Sequence, residues 1–527
     1  MKTGTVMNTL SAISAGANAL GTRPEERSPV ALPQNTVASA VRPSSVVSLG
    51  NVVSDTLSDT YSRRGQLPGQ ETVRAWESDS QDALSKTLNT NFNSQSTTNR
   101  FGGLGAGLVE QFVKGGGAAI SQSVLYASAD KAANVGEMKV DQSLLHNKAD
   151  NLVSLSIKTA SGKTVTFSLS SQTEGLGVQA RVDGGDLSDE ELKAVGKLGS
   201  AFQAAVDGLT ATPPKLDLSQ LTQWDSKLLA SVDLSATLKS LEGHDLSLAF
   251  HADGQSRTTR MSGPLGELNL AVDLKNTAIL GSTQQQAKAL QGYLAQFDQA
   301  QTRGSGKADL MAMFKDAFSA MNSNYPQGVS LTRNPTDQGL LTGLADFKAS
   351  LQQVGESSNP MRPSEVDSFA YEVSQKTRVG GKSELDRSVV QDQQSSLLAS
   401  FHKSLKGAKA ALDSTVESQN YLYVQVQDKA SSSTNLAYKD GLLTNASVAQ
   451  SASQNTHTQK YVMGKRVEDT TVPKQASIQR DYLVLLQYAA KESQKSRDAL
   501  DESTLKDALA NMHASVMLQN DPSALIR

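Results

Sequence analysis

The chain has 527 residues, enough for two or three folded units, yet its hydrophobic fraction is 38% and its aromatic fraction 5%, both low for a chain that packs throughout. Its 50 Lys and Arg stand against 53 Asp and Glu, and a net charge of −3 supplies no single-sign field for nucleic acid. The lack of cysteine excludes disulfides, thiolate metal sites and a cysteine nucleophile, and no apolar run is long enough to predict a membrane-spanning helix.

Residues 1–100 are rich in Ser, Thr, Asn, Gln and Ala, carry Pro24, Pro29, Pro33, Pro43 and Pro68, and hold no sustained period. Such a stretch cannot bury enough apolar surface to offset its ordering entropy, so a long disordered tail is expected. The run VRPSSVVSLG, ending at Gly50, is a candidate docking strand or a recognition peptide for a protein partner. The first twenty residues lack the continuous apolar stretch of a secretory signal. The expected localisation is therefore cytoplasmic, or exported by a signal-peptide-independent route.

Residues 101–150 change in kind. Leu104, Leu108 and Phe112, then Ile120 and Val124, recur at helical spacing, and Gly115, Gly116 and Gly117 divide them. Two short amphipathic helices packed on the body are expected; Lys114 and Lys131 alone make no basic face for a membrane surface.

From 151 to 280 the period becomes two. Val153, Leu155, Ile157 and Val165, Phe167, Leu169 alternate around the turn Ala160-Ser161-Gly162, predicting a β-hairpin, and a third strand covers 178–182. A helix is predicted over 188–206, ended by Pro213-Pro214, and strands resume at 229–238, 246–251, 257–261 and 268–274. Residues 281–360 read as helical, with helices over 284–300 and 307–321 and a weaker one over 338–352; Pro360 and Pro363 mark a linker. Residues 361–475 read as strands at 366–376, 420–427 and 459–468 around a polar loop or edge meander, and 476–527 as two closing helices, 477–491 and 494–516. The fold class expected is α+β: antiparallel sheet or sheets with packed helices behind a disordered N-terminal segment, in a soluble chain.

Several motifs resolve into local structure. The acidic run with Asp183, Asp186, Asp189 and Glu191 resembles the end of an EF-hand loop, but the earlier ligand positions fall on Ala180, Val182 and Gly184, which offer no side-chain oxygen. Ser188 as N-cap with Glu191 three residues on is the better reading, and the four acids stay weak candidates for a metal. Ser161-Gly162-Lys163-Thr164 lacks the first glycine of a phosphate loop, and Gly103-Leu104-Gly105-Ala106-Gly107 misses the dinucleotide spacing. His146, His244, His251, His402, His457 and His513 form no helical metal pair, and no G-x-S-x-G elbow occurs.

The block from Gly184 to Leu234, beginning GGDLSDEELKAVGKLGSAF, resembles uncharacterised bacterial proteins, some of which carry an automatic lactate dehydrogenase label. That resemblance implies no established activity, cofactor or site residue. A dehydrogenase would need the glycine fingerprint and a βαβ alternation, where this chain shows hairpins. The leading expectation is a non-enzymatic binding or structural protein, without cofactor, whose N-terminal tail carries an address or partner motif. A hydrolase with a site assembled across the chain, and a calcium-dependent surface module at 183–191, are the alternatives.

Overall fold

A computed structural model describes residues 72–78, 81–240, 244–325, 339–383, 385–407, 410–488, 512–513 and 515–526. Its frame is one antiparallel sheet. The first strands are β1 (Thr72–Trp76), β2 (Ile120–Ser128), β3 (Asn151–Thr159), β4 (Thr164–Gln172) and β5 (Gly175–Asp183). Then come β6 (Leu229–Leu238), β7 (Leu246–Asp253), β8 (Ser256–Gly263), β9 (Gly266–Asp273) and β10 (Asp346–Gln353). The last and longest are β11 (Ser368–Gly381), β12 (Arg387–Ser404), β13 (Tyr421–Lys439), β14 (Leu442–Val462) and β15 (Lys465–Asp481). All 15 strands belong to one sheet in the order β1-β2-β5-β4-β3-β6 and then sequentially to β15.

Helices lie mainly on one face. They are α1 (Ala83–Asn91), α2 (Thr97–Phe101), α3 (Leu104–Lys114), α4 (Ala129–Ala133), α5 (Val135–Lys148), α6 (Asp189–Gly196), α7 (Gly199–Thr210), α8 (Thr283–Gly304) and α9 (Ala308–Met321). Period-two patterning explains the arrangement. In β9, Leu268, Leu270 and Val272 are buried while Glu267, Asn269 and Asp273 are exposed, so a single register sends every apolar side chain toward the helices. Tyr293 and Phe297 of α8, with Phe314 and Phe318 of α9, meet Phe347 and Tyr371 from the sheet, mostly edge to face at 4.9–5.7 Å. The opposite face is covered by α5 over β4 and β5, where Met138 and Leu145 pack on Leu125 and Ala127. Beyond β10 that face meets solvent except at the ends of β12, β13 and β14, where His402, Tyr421, Tyr423 and Tyr461 are buried.

Four sequence expectations need correction. Folded chain begins within the predicted tail: β1 and α1 lie before residue 101 and α2 runs up to Phe101, while the expectation for 1–71 falls outside the described residues. Ile120 and Val124 belong to strand β2, because pairing with β1 and β5 overrides a helical spacing of only two residues. The weak helix over 338–352 is replaced by β10, inserted between β9 and β11. For the polar stretch after Ala430 the loop reading falls and the edge meander stands: it forms the greater part of β13 and β14, beside the edge strand β15, turning at Asp440 and Gly441, both with positive φ of 51° and 76°. In addition, the helix predicted over 188–206 breaks at Lys197-Leu198 into α6 and α7, and residues 477–481 finish β15 before a helix over 483–488.

Strand β15 is an open edge of 17 residues and is exposed along nearly its whole length. Proline and charged residues keep such an edge from recruiting further strands, and Pro473 followed by Lys474 stands at its middle. Replacing both by valine is expected to produce concentration-dependent self-association in light scattering. A variant that stays monodisperse would refute this role.

Candidate functional site

The acidic turn is a helix start. Gly184 and Gly185 take positive φ of 97° and 105°, and Ser188 caps α6 reciprocally with Glu191: Glu191 N–H donates to Ser188 Oγ at 3.2 Å, and Ser188 N–H donates to Glu191 Oε2 at 2.8 Å. Glu191 also accepts from Ser161 Oγ at 2.5 Å and Lys163 Nζ at 3.1 Å. Those bonds, the Ser161 one foremost, outweigh burial and hold its carboxyl down at about 2. Asp183 faces Arg181 at 3.7 Å, and among the described residues no group of three or more His, Asp and Glu is placed to hold a metal. The structure does not bring Asp183, Asp186 and Asp189 together around Glu191. Glu191→Gln is expected to cost about 1–2 kcal/mol near neutral pH. Because the folded pKa is depressed, this stabilisation is present above about 4.5 and is lost as pH falls toward about 2. Chemical denaturation across that range checks it, and a pH-independent difference would refute it.

Four histidines, His146, His251, His402 and His457, sit in polar clusters, while His244 is exposed and His513 meets the Thr342 carbonyl at 3.3 Å. His146 Nε2 lies 2.8 Å from Glu77 Oε2 and 3.3 Å from Ser121 Oγ, while Ser121 and Ser123 both donate to Glu77 at 2.7 and 2.8 Å. The residue types are those of a hydrolytic triad, but the geometry is not. One ring nitrogen faces both serine and carboxylate, whereas a triad needs the carboxylate on the other nitrogen. Burial raises the Glu77 carboxyl, but the His146, Ser121 and Ser123 bonds overcome it and hold it near 2, so it is a fixed anion tying β1 to β2 and α5.

His251 spans Asp233 at 2.6 Å and Asp253 at 3.2 Å, and His457 spans Gln425 at 2.7 Å and Asp469 at 2.6 Å. His402 spans Asp367 at 2.6 Å and Glu365 at 3.1 Å. In these three rings both nitrogens are engaged, leaving neither open for proton transfer to a substrate. Asp233 lies directly opposite His251 across β6 and β7. Sequence spacing can place His251 on a face; it cannot supply its cross-strand neighbour.

A trough of about 840 Å³ lies on the open face of β10–β15, lined mainly by Ser, Gln, Lys and Ala. Its floor is built by register. One cross-strand row runs Lys348, Ser374, Gln394, Ser431, Ser451, Ser477, and the next runs Ser350, Glu372, Ser396, Lys429, Ser453, Gln475. Neighbouring strands lie about 4.8 Å apart, so each row is a regular ladder of hydrogen-bonding groups. Ser431 and Ser451 bond each other at 2.8 Å, as do Ser368 and Ser400 on the continuation of the face. That continuation, about 540 Å³, is lined by Ser400, Gln425, Gln427, Asn455, His457 and Thr471. No Phe, Tyr or Trp ring lines either part. The signal in the sequence is the polar half of the period-two pattern in 430–459, which reads as loop or edge meander because Ser, Asn and Gln are poor strand formers taken singly.

No protein family, no curated protein and no solved structure matches the chain.

Proposed function

We propose that the chain is a non-enzymatic binding protein whose working surface is the open face of β10–β15, and that it takes an extended, uncharged ligand rich in hydroxyl or amide groups. The in-register rows of serine, glutamine and lysine in the trough carry this reading. Serines that bond only each other can exchange those bonds for a ligand's at little enthalpic loss. The trough holds few charges, and without aromatic platforms its affinity rests on many weak polar contacts. The enzymatic alternative has less support, since the Ser121, His146 and Glu77 cluster lacks triad geometry. In the same reading residues 1–71 carry the address or partner motif.

The test is a neutral glycan array probed with the full chain. Ser451 is exposed in the trough, so Ser451→Trp fills it without disturbing the buried face. Retention of neutral oligosaccharides by the wild type and its loss in Ser451→Trp, at unchanged melting temperature, is the expected result. Absence of retention, or retention indifferent to the substitution, would overturn the proposal. Hydrolytic turnover abolished by His146→Ala would restore the enzymatic reading.

A further inference from the structure

Residues 515–521 cross the helix-covered face of β12, β13 and β14 as a strap, gripped by side chains that bond its main chain. Gln393 Nε2 donates to the Val516 carbonyl at 2.8 Å and its Oε1 accepts from the Leu518 N–H at 3.1 Å, so both main-chain groups flanking Met517 are satisfied. Ser432 Oγ donates to the same Val516 carbonyl at 2.8 Å, Gln450 Nε2 to that of Met517 at 2.8 Å and Gln454 Nε2 to that of Asn520 at 3.0 Å. The Val516 and Leu518 side chains fill apolar sockets, and both residues are buried. The strap is no strand of the sheet, whose 15 members pair without it. Upstream, Leu486 shares a cluster with Met512 and Val516, and Tyr482 Oη lies 2.6 Å from Ser515 Oγ. Ends so close need few residues to join them. Residues 489–511 stand between, enough to span roughly 75–80 Å when stretched out.

We infer that the bed under this strap is an exchangeable peptide site, filled in cis by residues 515–521 and able to take the same segment from a second copy of the chain. Gln393, Ser432 and Gln450 are buried, so an empty bed would strand their amides and hydroxyl, and an extended segment must occupy it. Toward the strap, these side chains and Gln454 bond main-chain atoms only. The demand on sequence therefore falls on apolar residues at the Val516 and Leu518 positions. Each contact is the same whether the segment comes from its own chain or from a copy, and the long connection reaches either bed. Occupancy is then set by effective concentration. A tethered segment counts as roughly millimolar, so exchange shows when the chain's own strap is spoiled or when chain concentration nears that level. This inference does not depend on the trough, which lies on the other face.

Two full-length variants test it. Leu518→Asp spoils the strap and keeps the bed, whereas Gln393→Ala with Ser432→Ala spoils the bed and keeps the strap. Each alone should run as a monomer in size exclusion with light scattering. Their equimolar mixture at low micromolar concentration should form a dimer, because the sound strap of one fills the sound bed of the other. A labelled synthetic peptide of residues 510–527 should bind the Leu518→Asp chain saturably and raise its melting temperature. The same peptide carrying Leu518→Asp should bind at least about ten-fold more weakly. Wild-type chain concentrated toward millimolar should gain a dimer that excess peptide disperses, an arm that needs no substituted chain to fold. The inference is overturned if the peptide does not bind, or binds equally well with Leu518→Asp. A variant mixture and a concentrated wild type that both stay monomeric, or dimers that excess peptide leaves intact, would overturn the second copy as the occupant.

Discussion

Replacing His402 by glutamine is expected to destabilise the protein by about 3–5 kcal/mol, because it leaves the buried Glu365 and partly buried Asp367 carboxylates without the cation between them, Arg362 reaching only Glu365, at 3.9 Å. The His402 side chain is 2% exposed, and its Nδ1 and Nε2 reach Asp367 at 2.6 Å and Glu365 at 3.1 Å. Its backbone N–H also donates to Asp367 at 2.9 Å. Glu365 accepts from the Tyr421 hydroxyl at 2.7 Å, Asn359 donates to Tyr421 Oη at 3.0 Å, and Tyr421 stacks on Tyr461 at 4.8 Å beneath the guanidinium of Arg362. One imidazolium thus fastens the connection between β10 and β11 to the ends of β12, β13 and β14.

Burial alone would lower the His402 pKa, but its bonds to Asp367 and Glu365 reverse that and leave it raised. Burial likewise opposes the Asp367 carboxyl, which the His402 and Ser358 bonds hold below its ordinary value. The His402 contribution is fully present below its unfolded value near 6.5 and is lost as pH rises through the raised folded value. The Asp367 contribution is present above about 3.9 and is lost as pH falls through the depressed one. The fastening is therefore strongest between those limits. Urea midpoints of wild type and His402→Gln should differ most near pH 5.5 and converge as pH rises through the raised His402 value. Equal midpoints near pH 5.5 would remove His402 from this role.

How much of this could be read in the sequence follows from which half of each pattern is apolar. In β3, β4, β6 and β9 the buried positions are Val, Leu, Ile and Phe, and both strand existence and face were legible. In β12 the buried positions include Gln391, Gln393 and Ser395, and in β13 Asp428, Ser432 and Thr434. There, Thr434 apart, the polar side chains find partners distant in sequence: Gln393 meets Tyr293 and Val516, and Ser432 meets Val516. No local window contains those partners, so the stretch reads as loop. The helix cap at Ser188 and Glu191 was legible because both partners fall within one turn. The trough was not, because its rows exist only once several long strands are aligned.

The same dependence on distant partners governs Arg257, the other position where a single change should be severe. Arg257 lies in β8 with 1% of its surface exposed. Its Nη1 donates to the carbonyls of Met321, at 2.9 Å, and Ser323, and its Nη2 to that of Asn324 at 2.6 Å. These carbonyls end α9, where the helix itself supplies no donors and its dipole favours a cation. The guanidinium also stands 5.7 Å from the Tyr325 ring. Burial pulls its pKa down to about 10, against the opposing pull of Tyr325, so it stays charged at neutral pH. Arg257→Met keeps most of the volume and orphans three carbonyls together, for an expected loss of about 3–5 kcal/mol. Arg257→Lys retains the charge but cannot fork to three acceptors, so roughly half that loss is expected. An exposed pair such as Lys114 and Glu110, with side chains 74% and 65% accessible, should by contrast be removable with little effect. Denaturant unfolding ranks the three variants, and amide exchange over 318–325 localises the effect to the end of α9. Wild-type stability in Arg257→Met would mean that water, rather than β8, satisfies this helix end.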